Sequence, residues 1–215
     1  MTELAWVLLG GVLFVGGADW YSRVTEDKRL EYATKPLAMV LLIGVALALD
    51  PAAGEGGRRA WFVLALLLSL AGDVFLMLPG DRFVAGLRSF LLAHVAYVAG
   101  FLVDPPDGTA IAVAALVVIV VAPTLAAPVV WSLRRTQRQL TVPVVVYMVV
   151  ISAMVVLALA TGIVWAGVGA VLFFVSDYLI ARDRFIRHLP WAPLAIMVLY
   201  HLGQAGLVLS LTSST

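Results

Sequence analysis

Long blocks of apolar residues alternate along the chain with short stretches rich in charge, proline and glycine. The blocks fall at about 4–19, 36–50, 60–78, 87–103, 110–131, 142–160, 163–181 and 191–211. A helix needs about 20 mostly apolar residues to cross the hydrocarbon core of a bilayer, and within lipid a spanning segment must satisfy its own backbone hydrogen bonds. The pattern therefore predicts an all-α integral membrane protein of eight transmembrane helices. Thr161-Gly162 interrupts the longest apolar stretch, and the residues from 142 to 181 are enough for two crossings rather than one.

Composition agrees with this reading and narrows it. Of 215 residues, 63% are hydrophobic and 13% charged, which excludes an ordinary water-soluble globule. Eight spans would take up roughly 160 residues, so the expected organisation is a single polytopic domain over 1–215 with short loops. The net charge of +1, without a basic stripe interleaved with aromatics, excludes a nucleic-acid partner. No cysteine is present, which removes disulfides, thiolate metal sites, thiol nucleophiles and iron–sulfur clusters. The opening Met-Thr-Glu-Leu lacks the basic start of a cleavable signal peptide, so the first apolar block is expected to be a retained span.

Charge also orients the helices. Arg23, Lys28, Arg29 and Lys35 follow the first block, Arg82 and Arg88 the third, Arg134, Arg135 and Arg138 the fifth, and Arg182, Arg184 and Arg187 the seventh. These are 12 of the 14 basic residues, and only Arg58 and Arg59 fall on the other side. Basic loops stay in the cytoplasm, so the expectation is a multi-pass protein of the cell membrane with both termini outside. Trp6, Trp20, Trp61, Trp131, Trp165 and Trp191 lie near block ends, as interfacial anchors do.

Several landmarks recur in order. Thr34-Lys35-Pro36 opens the second block and Thr141-Val142-Pro143 the sixth. Gly72-Asp73 is matched by Ser176-Asp177, Asp81-Arg82-Phe83 by Asp183-Arg184-Phe185, and His94 by His201, at offsets between 102 and 107 residues. The series suggests a four-plus-four repeat, 1–105 and 106–215, whose copies run parallel because four spans is an even number.

The candidate chemistry lies in polar residues placed where they are costly. A charged group at the bilayer centre costs about 3 kcal/mol on insertion scales, so Asp73, His94, Asp177 and His201 must face protein or a wet cavity. With the orientation above, all four fall in the cytoplasmic half or near the midplane. Ser69 beside Asp73, Tyr97 beside His94 and Gln204 beside His201 add donors and acceptors on the same helix faces, and Tyr147 and Lys35 sit at similar depth. Together they are expected to line one polar cavity. Lys35 reads either as a snorkelling anchor or as a phosphate ligand. No zinc-protease, nucleophile-elbow or phosphate-loop motif occurs, and three histidines, His94, His188 and His201, make a weak case for a metal. No metal or other cofactor is expected.

The sequence around these residues resembles the YhhN-type lysoplasmalogenase family. The matching stretches are Thr34-Lys35-Pro36-Leu37, Gly72-Asp73-Val74-Phe75-Leu76-Met77-Leu78 with Phe83, Gly86-Leu87 through Ser89-Phe90-Leu91-Leu92-Ala93-His94-Val95-Ala96-Tyr97, Val142-Pro143 with Tyr147, Phe174-Val175-Ser176-Asp177, Arg184-Phe185, and Tyr200-His201-Leu202-Gly203-Gln204. The resemblance implies an eight-helix ether hydrolase. Its substrate would be a lysophospholipid, lysoplasmalogen, whose vinyl-ether bond is cut to release a fatty aldehyde and glycerophosphoethanolamine or glycerophosphocholine. Such a reaction runs on acid–base catalysis. Asp73 and Asp177 are then the carboxyl pair, either of them the acid. His94 or His201 would activate water and Lys35 would hold the phosphate, with Tyr97, Tyr147, Tyr200 and Gln204 binding substrate. The alternative on the same residues is a proton-coupled transporter or lipid carrier, since intramembrane Asp and His chains also relay protons. Oligomeric state is not legible.

Overall fold

The computed structural model describes residues 1–50 and 56–212. The described residues form eight α-helices, each long and apolar enough to cross a membrane, and contain no strand. The helices are α1 (Glu3–Thr25), α2 (Lys28–Ala48), α3 (Gly56–Met77), α4 (Phe83–Phe101), α5 (Gly108–Thr136), α6 (Thr141–Ala160), α7 (Val164–Phe185) and α8 (Ala192–Leu209). A 3-10 turn, Arg138–Leu140, leads into α6, and a second, Ser210–Thr212, follows α8. The protein is a multi-pass membrane protein.

Local sequence sets the ends. Thr2 caps α1 by accepting from the Ala5 N–H, Asp27 caps α2 by accepting from Arg29 and Leu30, and Asp107 caps α5 by accepting from Thr109 and Ala110. These backbone N–H groups hold the Asp107 carboxyl below its ordinary value. Between α6 and α7 the chain turns tightly: Gly162 lies at φ +70°, and the Thr161 hydroxyl donates to the Ala158 carbonyl while accepting from the Ile163 N–H.

The second helix begins two turns before the expected apolar block, with Pro36 inside it. Its polar opening stays helical because Glu31, Thr34 and Lys35 are buried, the first two against α1. The fifth helix also runs beyond its expected end and contains Pro123 and Pro128.

Neighbouring helices meet closely where glycine permits it. A Cβ on Gly169 would stand 2.6 Å from the Leu207 nitrogen, and one on Gly203 2.8 Å from the Phe173 nitrogen, so α7 and α8 touch backbone to backbone. Side chains fill the equivalent gaps between α3 and α4, Phe90 against Gly72 and Phe62 against Gly100. The interior is a continuous apolar cluster that includes Met39, Leu66, Phe101, Met154 and Phe173. Outward faces are apolar as lipid requires: Phe14, Leu116, Ile119 and Val164 are each exposed. The fifth helix is the least enclosed: along its length only Ala114, Val129 and Leu133 are buried.

Candidate active site

Two buried carboxyl groups organise the centre, in different surroundings. Asp73, near the end of α3, lies 3.0 Å from the Lys35 Nζ of α2 and accepts a 2.6 Å hydrogen bond from the Tyr200 hydroxyl of α8. Both Asp73 oxygens are thus engaged, one by a cation. Lys35 is buried too, so it neither snorkels nor presents its ammonium at the helix mouth. Lys35 lies two turns inside α2, where its charge neutralises Asp73.

Asp177, on α7, accepts a short hydrogen bond from the Tyr147 hydroxyl of α6. No lysine or arginine among the described residues pairs with it. The Nε2 of His94 on α4 lies 3.7 Å from the same carboxyl, beyond hydrogen-bonding distance. The His94 Nδ1 is 2.7 Å from the Phe90 carbonyl. A carbonyl only accepts, so Nδ1 carries a proton and, in the neutral ring, Nε2 presents its lone pair towards Asp177. Asp73 is close enough to Asp177 for the two to interact electrostatically.

Asp177 and Tyr147 also line a groove between α3, α4, α5, α6 and α7. It holds about 710 Å³ of empty space, counting the part open to its surroundings, and its other walls are largely apolar, with Leu87, Leu125, Met148 and Phe174 among them. That lining suits a hydrocarbon chain.

The expected residues gather only in part. Tyr97 donates to the Gln204 Oε1 at 2.5 Å, joining α4 to α8 in the same buried layer as Tyr200. His201 faces another way: its Nδ1 accepts from the Trp20 indole of α1 at 3.1 Å, and a Cβ on Gly16 would lie 3.5 Å from it. Trp20 therefore braces His201 rather than acting only as an interfacial anchor. Ser69 does not serve Asp73, since its buried hydroxyl has no hydrogen-bond partner. Ser89 and Ser176 donate to the Leu68 and Ile196 carbonyls, which ties neighbouring helices together.

Sequence reasoning missed a charged network between α1 and α2. Arg23 pairs with Glu31 at 2.8 Å and with Asp19 at 3.5 Å, and the Thr34 hydroxyl lies 3.3 Å from Asp19. The one available signal was Asp19 itself, a charge at the edge of an apolar block. Among the described residues, no three His, Asp or Glu side chains converge in a set able to hold a metal ion.

Residues 30–211 match the YhhN family model, a span that takes in every side chain named at both carboxyl groups. The chain belongs to the YhhN family. Within the family it is similar to a lysoplasmalogenase of Mycobacterium bovis, 39% identical over 175 residues that cover 77% of this chain and 64% of that protein. It is also similar to lysoplasmalogenase TMEM86B of Homo sapiens, 33% identical over 189 residues, covering 87% of this chain and 78% of the human protein. The Mus musculus TMEM86B is 32% identical over 165 residues, covering 74% and 67%. The chain thus spans less than two thirds of the length of its mycobacterial relatives. No solved structure matches it.

Proposed function

We propose that this YhhN protein hydrolyses the vinyl-ether bond of lysoplasmalogens, releasing a fatty aldehyde and glycerophosphoethanolamine or glycerophosphocholine. The observation that carries this reading is the unequal housing of the two carboxyl groups. Asp73 is matched by a lysine, whereas Asp177 has only a phenol partner and opens on an apolar groove. The relatives named lysoplasmalogenase support the substrate class.

The division of labour follows from that contrast. Asp177 donates its proton to the β-carbon of the vinyl ether, the double-bond electrons form the new C–H bond, and positive charge spreads over the α-carbon and the ether oxygen. Asp73, kept anionic by Lys35, stabilises that charge from within the low-dielectric core. Water adds to the α-carbon and gives a proton to His94, whose free Nε2 is aimed at the same place. The hemiacetal then breaks its bond to glycerol: the leaving glycerol oxygen takes the proton held by His94, the hemiacetal hydroxyl gives its proton to Asp177, and the aldehyde remains with both groups back in their starting states. Tyr147 orients Asp177, while Tyr200, Tyr97 and Gln204 hold the Asp73 side of the site. His201 keeps a supporting role through Trp20.

The test is purified full-length protein in detergent with synthetic 1-alkenyl-glycerophosphoethanolamine. Aldehyde release without any ion gradient is expected. A folded sample that makes no aldehyde yet moves the lysolipid across reconstituted vesicles would replace the hydrolase with a carrier.

Both termini lie outside the cell membrane in this proposal, with the four basic loops in the cytoplasm, as the 12 to 2 distribution of Lys and Arg supports. Reporters fused near residues 28, 84, 136 and 185 should be active in the cytoplasm, and one active there at the C-terminus would reverse the orientation. The parallel duplication, 1–105 and 106–215, is part of the same proposal, as a single domain. Its support is reciprocal packing: α4 lies on α6 as α8 lies on α2, and Tyr97 bonds Gln204 across 107 positions.

A further inference from the structure

The groove that carries Asp177 includes Phe83 and Phe185 in its wall, at the level of the loops that join α3 to α4 and α7 to α8. Their rings meet edge to face at 5.5 Å. Arg184 lies over them, its guanidinium carbon 4.2 Å from the Phe83 ring centre and 5.9 Å from that of Phe185. Asp81 accepts from this arginine at 2.9 and 2.8 Å, both contacts coming from Nη2. Among the described residues nothing else bonds the guanidinium, so Nε and Nη1 remain for a second anion. The tie spans 103 positions, and the loop presents Asp81 in the left-handed region, φ +43°, directly after Gly80 at φ +90°.

A lysolipid in this groove has its tail in the apolar part and its vinyl ether at Asp177. Its polar end must then leave towards the loops, because the opposite direction leads into the bilayer core. Arg184 stands seven residues after Asp177 on the same helix, two turns and about 10 Å along the axis, and a helical side chain leans back towards the N-terminus. That offset is of the order of a glycerol phosphodiester. Lys35 is buried against Asp73 and is not among the residues that line the groove. At Arg184 the phosphate would meet a planar donor suited to its oxygens. The Asp81 carboxylate beside it disfavours a purely anionic lipid and favours one with a terminal cation, and the Phe83 and Phe185 rings add a surface for an ammonium or trimethylammonium group.

We propose that Arg184 and Asp81 form a subsite for a zwitterionic phosphodiester headgroup, Arg184 holding the phosphate through an N–H that Asp81 leaves free and Asp81 holding the terminal ammonium. This rests on the lysolipid reading of the groove.

The experiment measures calorimetric binding of non-hydrolysable 1-alkyl analogues to the full-length protein in detergent: 1-alkyl-glycerophosphoethanolamine, 1-alkylglycerol phosphate and 1-alkylglycerol. Arg184→Gln should weaken the two phosphate-bearing ligands about tenfold or more and leave 1-alkylglycerol unchanged. Asp81→Asn should weaken only the ethanolamine lipid. Equal losses on all three ligands, or no loss on any, overturn the subsite. Should Arg184→Gln fail to fold, Asp81→Asn decides alone through the ratio of ethanolamine lipid to alkylglycerol phosphate, and an unchanged ratio rejects the proposal. Inorganic phosphate at the same concentration should not displace the lipid; displacement would mean a site for the free anion. Wild-type protein that binds the alkyl lipid in this manner but leaves the 1-alkenyl lipid uncut would retire the hydrolase and retain the subsite.

Discussion

Lys35 and Asp73 meet between α2 and α3 at 3.0 Å, with neither side chain more than 7% exposed. Removing one partner of such a pair strands the other charge in the core, at a cost of about 3–5 kcal/mol, whereas removing both costs far less. Asp73→Asn and Lys35→Met should each lower the unfolding temperature in detergent markedly, and Lys35→Met/Asp73→Asn should restore most of it. Aldehyde release should stay low in the double variant, because the stabilising anion is gone. Recovered activity there would take Asp73 out of the chemistry.

Asp177 leaves no lysine or arginine behind when it is changed, so Asp177→Asn should unfold close to the wild-type temperature. Turnover should fall about 100-fold or more, the scale of a lost general acid. His94→Gln should also lower turnover, by removing the base that takes the proton from water in the later addition step. A folded His94→Gln protein with wild-type turnover would take His94 out of the chemistry.

What the sequence made legible, and what it did not, divides along physical lines. Eight spans were readable because hydrocarbon demands long apolar runs whatever the fold. The start of α2 was not, because Lys28 to Lys35 is polar and becomes helix only where α1 covers it. Asp73 and Asp177 stood out as charges within apolar blocks. Their partners did not, since pairing Lys35 with Asp73, or Tyr147 with Asp177, depends on which helices pack together. Spacing along the chain carries none of that. Trp20 was read from its place at a block end, and its bond to His201 spans 181 positions.

The α7–α8 contact depends on glycine in a checkable way. Gly203→Ala would set its Cβ 2.8 Å from the Phe173 nitrogen and 3.0 Å from the Gly169 carbonyl oxygen, both backbone atoms with little freedom to yield. Size-exclusion profiles and unfolding in detergent should show a strongly destabilised or unfolded protein. Gly17→Ala is the control, since nothing lies within 4 Å of its Cβ, and it should be tolerated. A Gly203→Ala protein as stable as wild type would contradict the close packing described.

The loop tie should respond to acid in one direction. Arg184 beside Asp81 holds its carboxyl below the ordinary value of 3.8, so the folded form is the one that ionises more readily. Stability from this pair is therefore present above about pH 4 and fades as pH falls through the lowered folded value. The difference in unfolding temperature between wild type and Asp81→Asn should be constant from pH 8 to about pH 5 and shrink below pH 4. A difference that shrinks near neutrality would point to another titrating group.

The fifth helix supplies Ala122, Leu125 and Ala126 to the groove while most of its remaining surface faces lipid. Under the proposed function the boundary between the substrate tail and the bilayer is one helix thick on that side, and it holds none of the residues that pair with Asp73 or Asp177. Enlarging or narrowing those three positions redraws the space for the hydrocarbon without disturbing either carboxyl group. Chain-length preference and catalytic power can accordingly drift apart in related proteins, one recorded in the wall and the other in the core.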